Sequence, residues 1–434
     1  MLGQKEQDTN KKIWMWMPSL YIMKGLPISI VMLLSTIVYK RFGLSSSGVL
    51  FLTSWLMLAW VLKPLWRPMV DTLFTRRVWV IALQIMMTAV LYLLSTSITN
   101  DTANSNIFMY FLLLSFVGAT HEVAVENYYI ERMRRQVSKR TSLVKITFYM
   151  LPLSLLMGVL IMIEGNMEIL SRQVAKSWSQ TFLLLALLSA ILTLYHIILL
   201  RHKTDKMPMI YFMDRRHWNR ILQQRLYTFF MKPSAVMSVV AMLLYPMSVV
   251  LFSKISILFL FDRESYGGMG LSPQEFSFVE GTIGAMFLLV GIVCGQYLVM
   301  QRRETKYKWL MTLSIIAAES IYLYLSYNIS CSMTVLTLLV SMSNLLIGFG
   351  FMSYMNFLYS YSQGRHSSAH HGIALSIMML SFMLTSMFSG YWQEAIGYKN
   401  YFILTLAVSL LAVLTTPVLC RKKDVRKTNI RNIQ

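Results

Sequence analysis

Twelve mostly apolar stretches recur along the chain, near 14–39, 47–66, 78–98, 106–130, 142–163, 179–200, 234–261, 276–300, 309–327, 332–361, 368–392 and 400–420. Each holds roughly the 20 residues that a helix needs to cross the hydrocarbon core of a bilayer. Nothing else in the sequence constrains the fold as much. Inside lipid every backbone N–H and C=O must be satisfied, which leaves helices or closed barrels, and a spanning strand needs only about 10 residues. Composition agrees: 56% of the 434 residues are hydrophobic, 14% are charged, and the mean hydropathy is +0.54, outside the range of soluble domains. The 34 methionines, 23 phenylalanines and 10 tryptophans read as packing and as anchors at the headgroup level. The expected class is an all-α integral membrane protein. Its first stretch begins after Lys11 and Lys12 and is too long for a signal-peptide core, so it reads as a retained helix.

A formal charge of +21 on a soluble chain suggests nucleic acid. The placement of the charge argues for topology instead. With the N-terminus in the cytoplasm, 30 of the 40 Lys and Arg fall in the tails and even-numbered connections, six fall on the opposite side and four lie within the stretches. By the positive-inside rule both termini are cytoplasmic; no nucleic acid partner is expected, and lipid is the surrounding medium. The longest connection, 202–232, interleaves apolar and basic residues at near-helical spacing, as in Tyr211, Phe212, Arg215, Arg216 and Trp218. This fits an amphipathic helix on the inner membrane surface, either a tether or a regulatory element. The expected organisation is a six-helix bundle over 1–201, this linker over 202–232, and a second bundle with a basic tail over 233–434.

The halves echo each other at an offset of about 230 residues, as transporter halves commonly do. Gly118 to Asn127 aligns with Gly348 to Asn356, which sets Glu126 opposite Asn356. Arg76-Arg77-Val78-Trp79 is echoed by Lys306-Tyr307-Lys308-Trp309, and Gly158 by Gly390. Two pseudo-symmetric six-helix bundles around a central cleft follow.

Ionisable groups inside a bilayer cost several kcal/mol unless they face a cavity or a partner. Those within the stretches are therefore the site candidates: Lys24, His121, Glu122, Glu126, Lys145, Lys254, Glu280 and Glu319, with Asn356 added by the repeat. Glu122 and Glu126 are four residues apart and share a helix face, with His121 adjacent. Two readings stand open: a proton-binding pair of like charges, or structural pairing with Lys145 or Lys24. Lys254 either binds an anionic group of a solute or pairs with Glu280, and Glu280 and Glu319 are also expected half-exposed at a cavity wall. His196 reads as a hydrogen-bonded packing residue. His366, His370 and His371 have no acidic or cysteine partner nearby, so no metal site is expected. Cys294, Cys331 and Cys420 form no spaced pairs and read as small core residues. No nucleophile elbow, P-loop or metal triad occurs, so no catalytic residue and no cofactor are expected. An integral-membrane transferase, the rival from another class, needs a catalytic constellation near one membrane face that is not evident.

The segment from Trp60 through Lys63, Pro64, Trp66, Arg67 and Pro68 to Asp71 resembles the AmpG-like permeases, in the peptide/acetyl-CoA transporter branch of the major facilitator superfamily. Tyr21 to Pro27 resembles that family's first helix, and Ala119 to Glu126 its Ala-Thr-(Gln/His)-Asp-Ile-Ala-x-Asp signature. Ser389-Gly390-Tyr391 with Gly397-Tyr398-Lys399-Asn400 resembles its last inter-helix turn. Both signature aspartates are glutamates here, Asn127 replaces a small residue, and Lys24 stands where an acid is frequent. The resemblance implies twelve transmembrane helices, a monomer, and proton-coupled symport across the bacterial inner membrane. It implies muropeptide-like solutes or, alternatively, acetyl-CoA or another anionic metabolite. In the same way Asp71, Arg76 and Arg77 resemble the superfamily's gating loop.

Overall fold

A computed structural model describes residues 2–98, 105–133, 139–152, 156–200, 215–300, 304–364 and 366–420. Among these residues the structure is entirely helical apart from turns. In chain order the principal helices are α1 (Ile13–Arg41), α2 (Ser46–Thr72), α3 (Arg76–Ser97) and α4 (Asn106–Arg132), then α5 (Lys139–Met150) and α6 (Met157–Ser171). There follow α7 (Val174–Leu199), α8 (Arg215–Phe230), α9 (Ala235–Phe261), α10 (Pro273–Met300), α11 (Tyr307–Tyr327), α12 (Met333–Ser362) and α13 (Ser367–Cys420). Ten of them are long and apolar enough to cross a membrane. The expected fifth stretch, 142–163, lies partly outside the described residues, across the gap between α5 and α6. The expected eleventh and twelfth are both contained in α13, which turns at Gly397 (φ +73°), a left-handed conformation natural to glycine.

Local chemistry sets the ends. Ser45 caps α2 by accepting from the Gly48 N–H at 3.1 Å, and Thr75 does the same for α3 through Val78. Ser272 and Glu275 form a reciprocal capping box at the start of α10, with Pro273 in its first turn. The helices are apolar nearly all round, so their polar residues point inward. On α7, Leu187, Ile191, Leu194 and Ile198 are exposed, whereas Ser189, Thr193 and His196 are buried. This inverts the soluble pattern and suits a lipid-facing helix. Cys294 is exposed, and Cys331 and Cys420 are partly so; the expectation of core cysteines fails for Cys294, which lies on an outer face of α10, while Cys331, in the connection between α11 and α12, packs only partly against the core.

Two helix ends are closed by a cation from the start of another helix. At the end of the molecule where α1 begins, Arg77 at the start of α3 donates to the carbonyls of Leu200 and Ile197 at 2.6 and 2.7 Å, closing the C-terminus of α7. In the second half Lys308, at the start of α11, donates to the Leu419 carbonyl at 2.5 Å, closing α13. A cation on the last carbonyls of a helix satisfies groups that lipid cannot. Arg77→Ala is therefore expected to lower stability by about 1–2 kcal/mol, read as an earlier unfolding midpoint in detergent; Arg77→Lys recovers about half of the loss.

At the opposite, far end the two halves meet. Lys40 pairs with Asp262 at 2.7 Å, the Ser47 N–H donates to Glu394 at 2.8 Å, and the Ser54 and Ser386 hydroxyls lie 2.6 Å apart. Partway down, the Ser277 hydroxyl donates to the Gly158 carbonyl at 2.6 Å. At the near end α8 touches both halves: Arg225 pairs with Asp71 of α2 at 2.9 Å, and Thr228 lies 3.0 Å from His370 of α13. It falls inside the expected linker, of which 202–214 lies outside the described residues.

Candidate functional site: two carboxylates held by three lysines

Glu122 and Glu126 lie one turn apart on α4 and face α1, α2 and α5. Glu126 Oε2 accepts from Lys24 Nζ at 3.0 Å and from the Tyr21 hydroxyl at 3.2 Å, while Oε1 accepts from Lys145 Nζ at 2.8 Å. Glu122 Oε2 accepts from Lys63 Nζ at 2.9 Å and from the Trp60 indole N–H at 3.0 Å. Close backbone approach makes these reaches possible. A Cβ on Gly25 would lie 2.2 Å from the Tyr149 carbonyl oxygen, so only glycine lets α1 come near enough to α5 for both lysines to share one acid.

The cluster is set among aromatic rings. Lys24 Nζ lies 5.2 Å from the Tyr21 ring centroid and 5.1 Å from that of Tyr149, and Lys145 Nζ lies 4.0 Å from that of Tyr129; cation–π attraction adds to the ionic hold. Lys63 is almost fully buried, but Glu126 keeps 30% of its side-chain surface exposed. An ion in mid-span, ringed by lysines and tyrosines, is kept from lipid by its partners. Arg67, one turn beyond Lys63, donates to the Ser368 hydroxyl of α13 at 2.5 Å.

The remaining expected residues divide. His121 is turned onto Gln84 (3.1 Å), whose amide oxygen lies 3.0 Å from His196 Nδ1; His196 Nε2 in turn lies 3.0 Å from Ser19. This network joins α1, α3, α4 and α7, so His121 belongs to the scaffold and not to the acid pair, and His196 packs as expected. Lys254 does not meet Glu280. It reaches from α9 to the Met32 carbonyl and, at 2.9 Å, the Thr36 hydroxyl of α1, while Glu280 accepts from the Asn344 amide at 2.9 Å. Glu319 is wholly buried within its bundle and not at a cavity wall. Asn356 is half-buried on α12. Asp71 accepts from Asn127 at 2.8 Å as well as from Arg225. Neither arginine of the presumed gating loop joins it: Arg76 pairs with Glu131 at 2.9 Å and Arg77 closes α7. Among the described residues no group of His, Cys, Asp and Glu is arranged to hold a metal ion.

Sequence reasoning passed over Lys63, Trp60, Tyr21 and Arg67 as site residues. Lys63 had a readable signal, an unpaired cation inside an apolar stretch. The stretch was expected to end at 66, whereas α2 continues through Pro64 and Pro68 to Thr72.

No protein-family model matches the chain. Two curated relatives, each described as "Putative transporter AmpG 4", from Rickettsia felis and Rickettsia conorii, are 19% identical over 93% of this chain and 95% of their own length. The solved structure of the nucleoside transporter NupG superposes with a TM-score of 0.66 at 13% identity, covering 95% of this chain and 99% of that one. A point mutant of the same nucleoside transporter superposes with a TM-score of 0.63 at the same 13% identity, covering 94% of this chain and 100% of that one. These likenesses define an all-α, multi-spanning membrane fold. It is the fold seen in the solved nucleoside transporter NupG.

Proposed function

We propose that the protein is a proton-coupled secondary transporter of small anionic solutes, with muropeptide-like glycopeptides as the solute class, working by alternating access between two six-helix halves. The observation that carries this reading is the Glu126 cluster: three membrane-embedded lysines, tyrosine rings, and a partly exposed carboxylate where a solute would meet them. The curated relatives, named as putative transporters, support a transport role; the glycopeptide class is what the sequence resemblance to the AmpG-like permeases implies. Acetyl-CoA or another anionic metabolite is the second reading, favoured by the excess of cations. Three lysines, Lys24, Lys63 and Lys145, share two carboxylates, Glu122 and Glu126, while Asp71 is matched by Arg225.

The mechanism follows from the pairing. Protonation of Glu126 removes the charge that holds Lys24 and Lys145 and frees both for an anionic group of the solute; Glu122 is the second coupling acid, freeing Lys63. The tyrosine rings offer flat faces to a sugar or acyl body. With both termini cytoplasmic, the far end is periplasmic, and the contacts of Lys40, Ser47 and Ser54 correspond to a state closed to the outside. One chain carries the whole cluster, consistent with a monomer surrounded by lipid in the bacterial inner membrane.

Ligand-dependent stabilisation tests the solute class, since a ligand bound only by the folded state raises the unfolding midpoint. In a panel of anhydro-muropeptides, acyl-coenzyme A thioesters and neutral disaccharides, the muropeptides are expected to raise the midpoint of the wild type and to have no effect on Lys24→Gln/Lys145→Gln. Stabilisation by the thioesters alone supports the second reading; stabilisation by neutral sugars alone removes both.

A further inference from the structure

Lys24 on α1 and Lys254 on α9 are both cations within apolar spans, with different partners. Lys24 finds its acid in Glu126 within its own half. Lys254 forms no ion pair among the described residues. It crosses instead to the other half, where its ammonium rests on the Met32 carbonyl and the Thr36 hydroxyl. Lys254 is 4% exposed, so a cation with only neutral acceptors has been placed deep within the spans.

The cradle is made by an irregularity in α1. Residues Ile30–Leu34 are π-helical, and a π turn shifts the backbone ladder so that carbonyls become available to outside donors. Thr36 donates its own hydroxyl to Met32 O at 3.3 Å and turns its lone pairs to Lys254. The contact holds a helix of one half to a helix of the other. It must break when the far ends part.

We infer that Lys254 is a carboxylate-binding subsite of the second half, held shut in this state by α1. When the halves separate, the ammonium leaves Met32 and Thr36, and a carboxylate of the solute supplies the counter-charge that Lys254 lacks. The solute anion therefore competes with a latch, and binding shifts the protein toward the far-end-open state. This rests on the reading of the protein as a carrier of anionic solutes, but the latch itself is testable without any solute.

The readout is disulfide formation between Ser54→Cys and Ser386→Cys, whose hydroxyls touch across the halves, in the full chain in nanodiscs with Cys294, Cys331 and Cys420 changed to serine. Lys254→Gln is expected to slow cross-linking about tenfold, the value of one lost charged hydrogen bond. N-acetylmuramate as a carboxylate probe slows cross-linking in the parent protein and has no further effect in Lys254→Gln; glucose 6-phosphate acting equally well identifies the subsite as one for anions generally and overturns the carboxylate assignment. If Lys254→Gln cross-links like the parent, the latch is wrong. If N-acetylmuramate still acts on Lys254→Gln but not on Lys24→Gln/Lys145→Gln, the transporter reading survives and the Lys254 subsite falls.

Discussion

Glu126→Gln is expected to abolish uptake and to lower the unfolding free energy by about 3 kcal/mol, because it leaves two lysines inside the membrane with no counter-charge. Glu126 takes one oxygen to Lys24 and Tyr21 and the other to Lys145, so no single neighbour can replace it. The 30% exposure of its side chain keeps the loss toward the lower end of what a fully buried pair would show. Adding Lys24→Gln and Lys145→Gln to Glu126→Gln removes the stranded charges, and the triple variant is expected to regain most of its thermal stability while remaining inactive. That split separates the two open readings of the acid pair: a purely structural pair would regain function along with stability. Unfolding midpoints in detergent and uptake into proteoliposomes measure the two halves of the prediction.

Gly158→Val is expected to trap the far end open. A Cβ at Gly158 would lie 2.1 Å from the carbonyl oxygen of Gly281, and one at Gly281 would lie 2.4 Å from the Gly158 Cα, so two backbones of opposite halves touch where neither can move aside. The only relief is to part α6 from α10, which also breaks the Ser277 to Gly158 hydrogen bond. Gly390 makes a like backbone contact between α13 and α2, where a Cβ would lie 2.6 Å from the Ser46 carbonyl oxygen. A cysteine introduced at Ser47, buried in the present state, is expected to react with a membrane-impermeant maleimide at least tenfold faster in Gly158→Val, with transport lost. Val159→Leu is the control: its neighbouring side chain is 49% exposed on the outer face, and neither labelling nor transport is expected to change.

The sequence made the helical membrane class and the acid pair legible for simple reasons. Apolar length reports on lipid directly, and a spacing of four places two carboxylates on one face whatever surrounds them. The partners were legible only in part. Lys24 and Lys145 were foreseeable as cations on helices that neighbour α4, but which acid they chose depended on how near Gly25 lets α1 approach α5. Lys63 was legible as a cation within a stretch, but its acid was not. Of the two readings of Lys254, pairing with Glu280 does not occur, and its contact with α1 was not legible because the π turn that offers it the Met32 carbonyl leaves no pattern in the apolar residues around it. Arg77 and Lys308 show the reverse case. Their echo was visible, and its purpose, closing the last carbonyls of α7 and α13, required the fold. His121 sits beside Glu122 in sequence, yet a helix turns adjacent residues about 100° apart, so it faces Gln84 and the scaffold.

The central claim, that this cluster carries an anionic glycopeptide with a proton, is tested most directly by uptake of a radiolabelled anhydro-muropeptide into proteoliposomes under an imposed pH gradient, acid outside. Accumulation above equilibrium in the wild type, collapse on addition of a protonophore, and loss in Glu126→Gln are the expected results. Uptake that ignores the gradient and persists in Glu126→Gln combined with Glu122→Gln would contradict the account.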